Sequence, residues 1–528
     1  MSNHAYESAA ALRPSSNGPI PISTLCERFS LAPASAEDAA ALNDLSILGV
    51  SVDSADTAPG ELFVGLPGFT VHGARFAAQA VASGAVAVLT DADGAQIVHQ
   101  TAPGTPTLVH SDPRAVVGLL SAEVYHHPAR GLVTTAVTGT NGKTTTAYFL
   151  DAILSAHVGG CMVAGTVELR VGERSVESPR TTVEAPVLQR MMALAVEDKV
   201  GAASLEASSH AIVLHRLDGI VVDVAGFTNL QRDHLDFHKT MEGYLEAKAQ
   251  LFTPEHARRG VVCVDDQWGA TLAAEAPIEI DRVRAYPGDT PDDWWVSDAA
   301  VSLTDSATTF TLHGPDGEKI EASCPLPGLV NVQNAALALV MAIRAGVPAA
   351  TAATALAGAH NIPGRMQRIS QRDGRRGLCI VDFAHTPDAM ELALKAVRPI
   401  TPGRLIVVFG SDGDRDQGKR PMLGEVCARL ADVLVVTDEN PRSEDPQLIR
   451  NAILEGVRGV RPDLTDVEEI TTWRGDAVRR GVELCGPDDT VIVTGKGHEP
   501  FLEMAGEFIR YNDAPVMAEA VEEKWGRA

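Results

Sequence analysis

Short apolar runs rich in β-branched residues alternate with Ala-rich stretches of helical period along most of the chain. Leu62–Leu66, Ala85–Leu89 and Thr107–Val109 read as strands separated by helical text, the pattern of a small α/β unit. An Asp112-Pro113 pair then opens a helical stretch to about Tyr125, and His127-Pro128 breaks it before the apolar run Leu132–Val137. Ala203–Leu205, Val222–Thr228 and Gly260–Val264 are continuous apolar runs of the kind buried on both faces of a parallel sheet. Past Ile362-Pro363-Gly364 a third series begins with Leu378–Asp382, Leu405–Phe409, Val433–Thr437 and Thr490–Thr494. The pattern predicts an α/β chain in three domains: 1–111, with a loose Ser/Pro/Ala-rich leader over residues 1–20 and structure from Ile22; 112–362; and 363–528. The longest apolar run, Ala335–Ile343, stops at Arg344, well short of the roughly 20 residues of a membrane span, and reads as a buried helix. No internal repeat is evident.

Composition agrees with this division. The chain has 528 residues, and domains average about 150. Hydrophobic residues make up 45 % and charged ones 21 %, which excludes general disorder. Lys and Arg number 44 against 69 Asp and Glu, and the net charge of -25 weighs against nucleic acid and anionic membrane as partners. The seven cysteines are dispersed, odd in number and never spaced C-x-x-C, which argues against a zinc site or disulfide framework and fits a reducing cytoplasm. The N-terminal MSNHAYESAAALRPSSNGP lacks the layout of a secretion signal.

Chemistry concentrates first in Thr138-Gly139-Thr140-Asn141-Gly142-Lys143-Thr144-Thr145-Thr146, between a predicted strand and a predicted helix. Its glycines permit a tight turn in which successive N–H groups and the helix N-terminus face phosphate oxygens. Lys143 would reach the β- and γ-phosphates, and the Thr144 or Thr145 hydroxyl would hold Mg²⁺. Val137 occupies the first glycine of the usual G-x-x-x-x-G-K spacing, so the loop is a shorter variant. Glu206 stands at the carboxyl end of a strand, where α/β sheets bind ligands. The run Thr228 to His238, with Asp233, His234, Asp236 and His238, suits a divalent cation, although solvated loop residues have the same composition. Within Met241–Phe252, Tyr244, Leu245, Lys248 and Leu251 share one helical face; the ordinary expectation for Lys248 is an apolar stem with its ammonium snorkelling to the rim.

TGTNGKTTT, LEASSH, FTNLQRDHLDFHKTMEGYLEAK, LPGLVNVQNAALA, IPGRMQRI, VDFAHTPDAM, FGSDGDRDQGKRP, ENPRSEDP and GKGHE occur in this order. Together they resemble the Mur ligase family, the ATP-dependent amide ligases of peptidoglycan assembly, over nearly the whole chain. The last five resemble most the branch that adds the third residue of the stem peptide. The resemblance implies a small N-terminal α/β UDP-binding domain, a central P-loop ATPase-like parallel-sheet domain and a C-terminal Rossmann-like domain binding the incoming amino acid. It places ATP, with Mg²⁺, at Gly139, Thr140, Asn141, Gly142, Lys143, Thr144, Thr145, Asn331, Arg365 and Asp382. Thr144 and Glu206 would hold one metal ion, and His234 with a carbamylated Lys248 a second, which reverses the snorkelling expectation. Asn331 and Asn334 could equally cap the helix that follows them. His385 lies nearby without an assigned role.

For the acceptor, UDP-N-acetylmuramoyl-L-Ala-D-Glu, the resemblance points to Ser54, Thr181, Thr182, Ser208 and Arg216. Ala55 departs from the family's D-S-R signature, and Leu214 stands where a Gln is usual. For the incoming meso-diaminopimelate it points to Arg415, Glu439, Asn440, Pro441 and Arg442 at the carboxylate end, and to Gly495 and Glu499 at the ammonium end. The family's diaminopimelate enzymes read D-N-P-R where this chain has Glu439-Asn440-Pro441-Arg442, and its lysine enzymes lack the arginine. An arginine favours the substrate with the additional carboxylate. The implied reaction runs through an acyl phosphate of the D-glutamyl γ-carboxylate, in a cytoplasmic monomer without nucleic-acid partner or membrane insertion. The competing expectations are a lysine-adding or folylpolyglutamate-type sister ligase, and a P-loop NTPase that turns over without an amine.

Overall fold

The computed structural model describes residues 11–285, 293–302, 307–359 and 361–526. They form two compact units. The first comprises the chain to Trp295 with 314–316 and 336–355; the second comprises 296–313, 317–335 and the chain from Leu356.

The first unit opens with a five-stranded sheet in the order Ala32–Pro33, Thr107–Val109, Ala87–Thr90, Glu61–Val64, Gly49–Ser51, parallel except at its first edge. Helix Pro113–Val124 closes one face. Its N-cap Asp112 accepts from the backbone N–H groups of Arg114 and Ala115, both at 3.1 Å, and Pro113 fills the first turn, where no N–H is needed. Val117, Leu120 and Val124 enter the core formed by Ile22, Leu25, Val50, Leu62 and Leu89.

The loose leader expected over residues 1–20 is corrected by the structure from residue 12 onward, while residues 1–10 lie outside the described residues. Leu12 is buried in the core of the following sheet, among Leu132, Ala136 and Met191. Ser15 donates to Glu197 through its N–H and its hydroxyl, and Asn17 Nδ2 donates to the carbonyls of Leu48 at 2.7 Å and Val124 at 3.0 Å. A polar composition concealed one apolar anchor.

The larger sheet of this unit runs Arg174–Glu177, Glu168–Val171, Cys161–Ala164, Ala202–Glu206, Val133–Thr138, Val222–Phe227, Ala257–Cys263, Glu279–Arg284. The six strands from Cys161–Ala164 onward are mutually parallel, and the preceding hairpin is antiparallel. Register pairs Glu206 with Val137 and Phe227 with Thr138. The ends of three neighbouring strands therefore deliver Glu206, the 139–142 turn and Thr228 side by side. Later strands are added on both sides of Val133–Thr138, which makes its carboxyl end the switch point where open α/β sheets bind ligands.

The second unit contains the hairpin Thr308–His313/Lys319–Cys324 and a six-stranded sheet. That sheet is ordered Gln367–Ser370, Leu378–Val381, Thr490–Val493, Leu405–Phe409, Val433–Val436, Val467–Glu469 and is parallel apart from its first strand. Each predicted strand is present, Leu405–Phe409 with the predicted bounds and Ala257–Cys263 starting three residues before the expected Gly260. The run Ala335–Ile343 lies inside helix Leu329–Arg344. Among the described residues, no helix is long and apolar enough to cross a membrane.

Candidate functional site

The phosphate-type loop needs its glycines for two reasons. Gly139 has φ +144°, and a Cβ there would collide with the Thr228 hydroxyl; Gly142, at φ +91°, is the N-cap of helix Lys143–Val158. The loop is braced from the neighbouring strand end. Thr140 N donates to Asn229 O at 2.9 Å, Asn141 N to Asn229 Oδ1 at 3.1 Å, Thr228 Oγ1 to Asn141 O at 2.6 Å and Asn141 Nδ2 to Gln231 Oε1 at 2.7 Å. Lys143 Nζ curls over the turn and donates to the carbonyls of Gly139 at 3.0 Å and Thr140 at 2.8 Å. Thr228, Asn229 and Gln231 thus act as the loop's scaffold, a role that only the register of the two strands discloses.

Glu206 is 1 % exposed. It accepts from Thr144 Oγ1 at 3.0 Å, Thr166 N at 2.8 Å and Thr166 Oγ1 at 3.0 Å. Thr144 and Glu206 supply hard oxygen donors side by side, a chemistry that fits Mg²⁺. Thr166 was not legible as a site residue, because it lies in a hairpin entry whose partner is 40 residues away. Thr145 is buried in the first turn of the same helix.

Lys248 does not snorkel. It is 1 % exposed, donates to Gly139 O at 2.8 Å, and its Nζ lies 4.4 Å from the centre of the Tyr244 ring. Burial, reinforced by the charge of Lys143, holds its amine well below the ordinary lysine range. His234 packs edge-on to His210 at 4.8 Å and to Tyr244 at 6.2 Å. His238 stacks on Tyr244 at 4.9 Å and bonds the Ser209 hydroxyl at 2.8 Å. All three imidazoles are held below the usual histidine range, first by burial and then by neighbouring cations, His238 at about 4. Among the described residues, no cluster of three His, Cys, Asp or Glu side chains is arranged to hold a metal. The structure joins Thr144 to Glu206 but sets His234 among aromatic rings.

Four of the expected acceptor contacts converge beside Glu206. Thr182 Oγ1 donates to Glu206 O at 2.6 Å and accepts from Ser208 N at 3.0 Å, and Thr181 Oγ1 lies 3.2 Å from Thr166 Oγ1. Arg216 donates to Thr182 O at 3.1 Å and pairs with Glu184 at 2.9 Å. Ser54 is held apart by Gln79 at 3.0 Å. A cavity of about 190 Å³ opens between the N-terminal sheet and helix Ala185–Glu197, with Val50, Asp53, Asp56, Arg114, Arg180 and Glu184 in its wall.

In the second unit, Asp382 follows strand Leu378–Val381 and accepts from Met366 N at 2.7 Å and Ala384 N at 2.9 Å. Arg365 lies 4.3 Å over the Phe383 ring. Asn331 Nδ2 donates to Pro327 O at 2.8 Å. The ends of Val433–Val436 and Thr490–Val493 bring the NPR and GKGHE segments together around Lys496, whose buried Nζ donates to Asn440 Oδ1 at 2.9 Å, Glu499 Oε2 at 3.0 Å and Phe501 O at 2.6 Å. Lys496 was missed as an organising residue; it stands inside GKGHE, between the two residues singled out. Glu439 packs on Gly495, leaving no room for a side chain there, and burial beside Asp412 pushes its carboxyl up to about 8. Arg442, at φ +55°, faces Glu503 at 3.4 Å, and Gly413 packs against the Pro441 carbonyl. Arg415 is exposed on the same 413–416 loop.

Three family models match the chain: the Mur ligase family catalytic domain over residues 46–125, the Mur ligase middle domain over 137–342, and the Mur ligase glutamate ligase domain over 364–497. The chain is 43 % identical over 480 residues to the UDP-N-acetylmuramoyl-L-alanyl-D-glutamate--2,6-diaminopimelate ligase of Streptomyces coelicolor, covering 91 % of this chain and 93 % of that protein. It is 42 % identical over 508 residues to the UDP-N-acetylmuramyl-tripeptide synthetase of Leifsonia xyli subsp. xyli, covering 95 % and 96 %. A solved structure of a UDP-N-acetylmuramoyl-L-alanyl-D-glutamate 2,6-diaminopimelate ligase superposes with a TM-score of 0.63 at 31 % identity, covering 91 % of this chain and 95 % of that one.

Proposed function

The chain belongs to the Mur ligase family, and on that premise we propose that it joins meso-2,6-diaminopimelate to the D-glutamyl γ-carboxylate of UDP-N-acetylmuramoyl-L-Ala-D-Glu at the expense of ATP, a step of peptidoglycan precursor synthesis. The observation that carries the reading is the braced phosphate loop with Lys143 and the buried amine of Lys248 on one carbonyl, Gly139 O. A γ-carboxylate oxygen of the acceptor attacks the terminal phosphorus of ATP, and ADP leaves. The amine nitrogen of diaminopimelate then attacks the acyl phosphate carbon, phosphate departs with a former carboxylate oxygen, and the nitrogen sheds a proton. Lys143 and the loop N–H groups stabilise charge on the transferred group. Arg216 and the Thr181, Thr182 and Ser208 hydroxyls orient the acceptor next to Glu206.

Thr144 and Glu206 would hold Mg²⁺, with a carbamylated Lys248 and His234 supplying a second site; when bound, the ions would screen phosphate charge. Gly139, Thr140, Asn141, Gly142 and Thr145, with Asn331, Arg365 and Asp382 in the second unit, serve ATP. Arg114 and Arg180, in the wall of the 190 Å³ cavity, suit the anionic end of the nucleotide sugar, as does Ser54. Arg415 and Arg442 grip the distal carboxylate of diaminopimelate. Glu439, Asn440, Pro441, Gly495 and Glu499 shape its ammonium end. These roles fall on the segments 1–111, 112–362 and 363–528, in a cytoplasmic monomer. The test compares phosphate release with meso-diaminopimelate, L-lysine and no amine. Dependence on diaminopimelate, with ¹⁸O passing from the γ-carboxylate to phosphate, is expected; amine-independent turnover or absence of that transfer would sink the reading.

A further inference from the structure

We propose that Arg13 is a positioning residue for the nucleotide-sugar substrate, fixing from a distant segment the turn that forms one wall of the 190 Å³ cavity. This rests on the reading of that cavity given above. The wall is the Asp53–Asp56 turn, closed by Asp56 N donating to Asp53 O at 3.1 Å, by Ala55 N donating to Asp53 Oδ1 at 2.8 Å, and by the Ser51 and Thr57 hydroxyls on Asp53 O at 2.8 and 2.9 Å. Two carboxylates behind it are buried, Asp56 at 5 % exposure and Glu61 at 3 %.

Buried carboxylates need counter-charge, and the turn carries no cation of its own, since Ala55 stands where the family signature has arginine. Arg13 supplies it from the N-terminal segment. One guanidinium nitrogen pairs with Glu61 Oε1, and the other meets both the Asp56 carbonyl and Asp56 Oδ1. Arg190, from helix Ala185–Glu197, takes the remaining Asp56 oxygen at 2.8 Å. Asp56 is thus held by two arginines, one on each carboxylate oxygen, which pins the turn at the cavity and offsets the acidic charge of a wall facing an anionic ligand. Leu12 in the central core and the Ser15–Glu197 bond hold the strap that carries Arg13.

The experiment measures kcat and all three KM values, together with thermal unfolding, for wild type, Arg13→Ala, Arg13→Lys and Glu197→Ala. Arg13→Ala is expected to raise KM for the nucleotide-sugar dipeptide about tenfold or more, leaving the other two KM values and kcat within about twofold. Arg13→Lys should restore part of the loss, and Glu197→Ala, which releases the strap at Ser15, should raise the same KM by a smaller factor than Arg13→Ala. An unchanged nucleotide-sugar KM, or three KM values drifting together with stability, overturns the proposal. If Arg13→Ala does not fold, Arg13→Lys decides, and a wild-type KM in it is refuting. Absence of wild-type turnover would instead overturn the ligase reading itself, and with it the substrate named here.

Discussion

Replacing Lys248 with alanine removes the one amine of the P-loop site that is almost wholly shielded from water, and the size of the effect follows from its surroundings. At pH 8 an unperturbed lysine is only about 0.4 % neutral, and each unit of pKa depression raises that fraction roughly tenfold at a cost of about 1.4 kcal/mol. Burial and the neighbouring Lys143 push Lys248 in that direction. A neutral amine is the species that adds CO₂: an N–C bond forms, a proton leaves, and the product is an anionic carbamate beside the phosphate loop. On the proposed carbamate role, Lys248→Ala loses both that anion and the bond to Gly139 O, and kcat/KM should fall about 10³-fold or more, on the order of 4 kcal/mol. Deleting the stem should cost a further 2 kcal/mol or so of stability, roughly the lower end for large-to-small core changes, because relief of amine desolvation offsets part of it. Phosphate release measures the first effect, with short carboxylates added to occupy the space and restore part of the rate. ¹³C NMR under ¹³CO₂ should show a carbamate resonance in wild type that Lys248→Ala lacks. Full activity in the variant, or wild-type activity with no ¹³C adduct, refutes the reasoning.

The second unit supports three further tests. Burial beside Asp412 raises the Glu439 carboxyl in the fold from its ordinary value of 4.5 to about 8, so its stabilising contribution is complete below about pH 4.5 and is lost as pH rises through 8; Glu439→Gln should flatten the Tm profile over that window, and an unchanged profile counts against it. Arg474 and Asp513 are both fully buried and joined by two bonds of 2.8 Å, with Arg474 also donating to Asp438 O at 2.9 Å and Thr494 O at 2.7 Å. Arg474→Met should cost about 3–5 kcal/mol in urea unfolding, and a loss under about 1 kcal/mol would contradict the pairing. Arg442→Ala should cut kcat/KM for meso-diaminopimelate by roughly a hundredfold, about 2–3 kcal/mol for a lost charge-assisted bond, while changing that for L-lysine little; equal losses for both amines would remove Arg442 from selectivity.

Much of the fold and the chemical inventory of the site was legible along the chain. The strand runs came out within a few residues because buried parallel strands must be continuously apolar. The phosphate loop was legible because a turn with φ near +90° at Gly142 restricts the residue type locally. The helical face of Lys248 was legible too, but which way its amine turned was not, since the stem is compatible with rim or interior.

What the sequence alone determined was local: periodicity, caps, glycine turns, and which titratable groups exist. Tertiary structure decided what each polar group is paired with, and that is where the site acquires its properties. The Gly139 carbonyl draws Lys248 inward from 109 positions away, Thr166 completes the cage on Glu206, and Arg13 crosses to Asp56 and Glu61 from a segment whose composition reads as a tail. The free energy of a buried charge depends on partners brought from distant positions. No window along the chain contains those partners, so only the folded register selects among them.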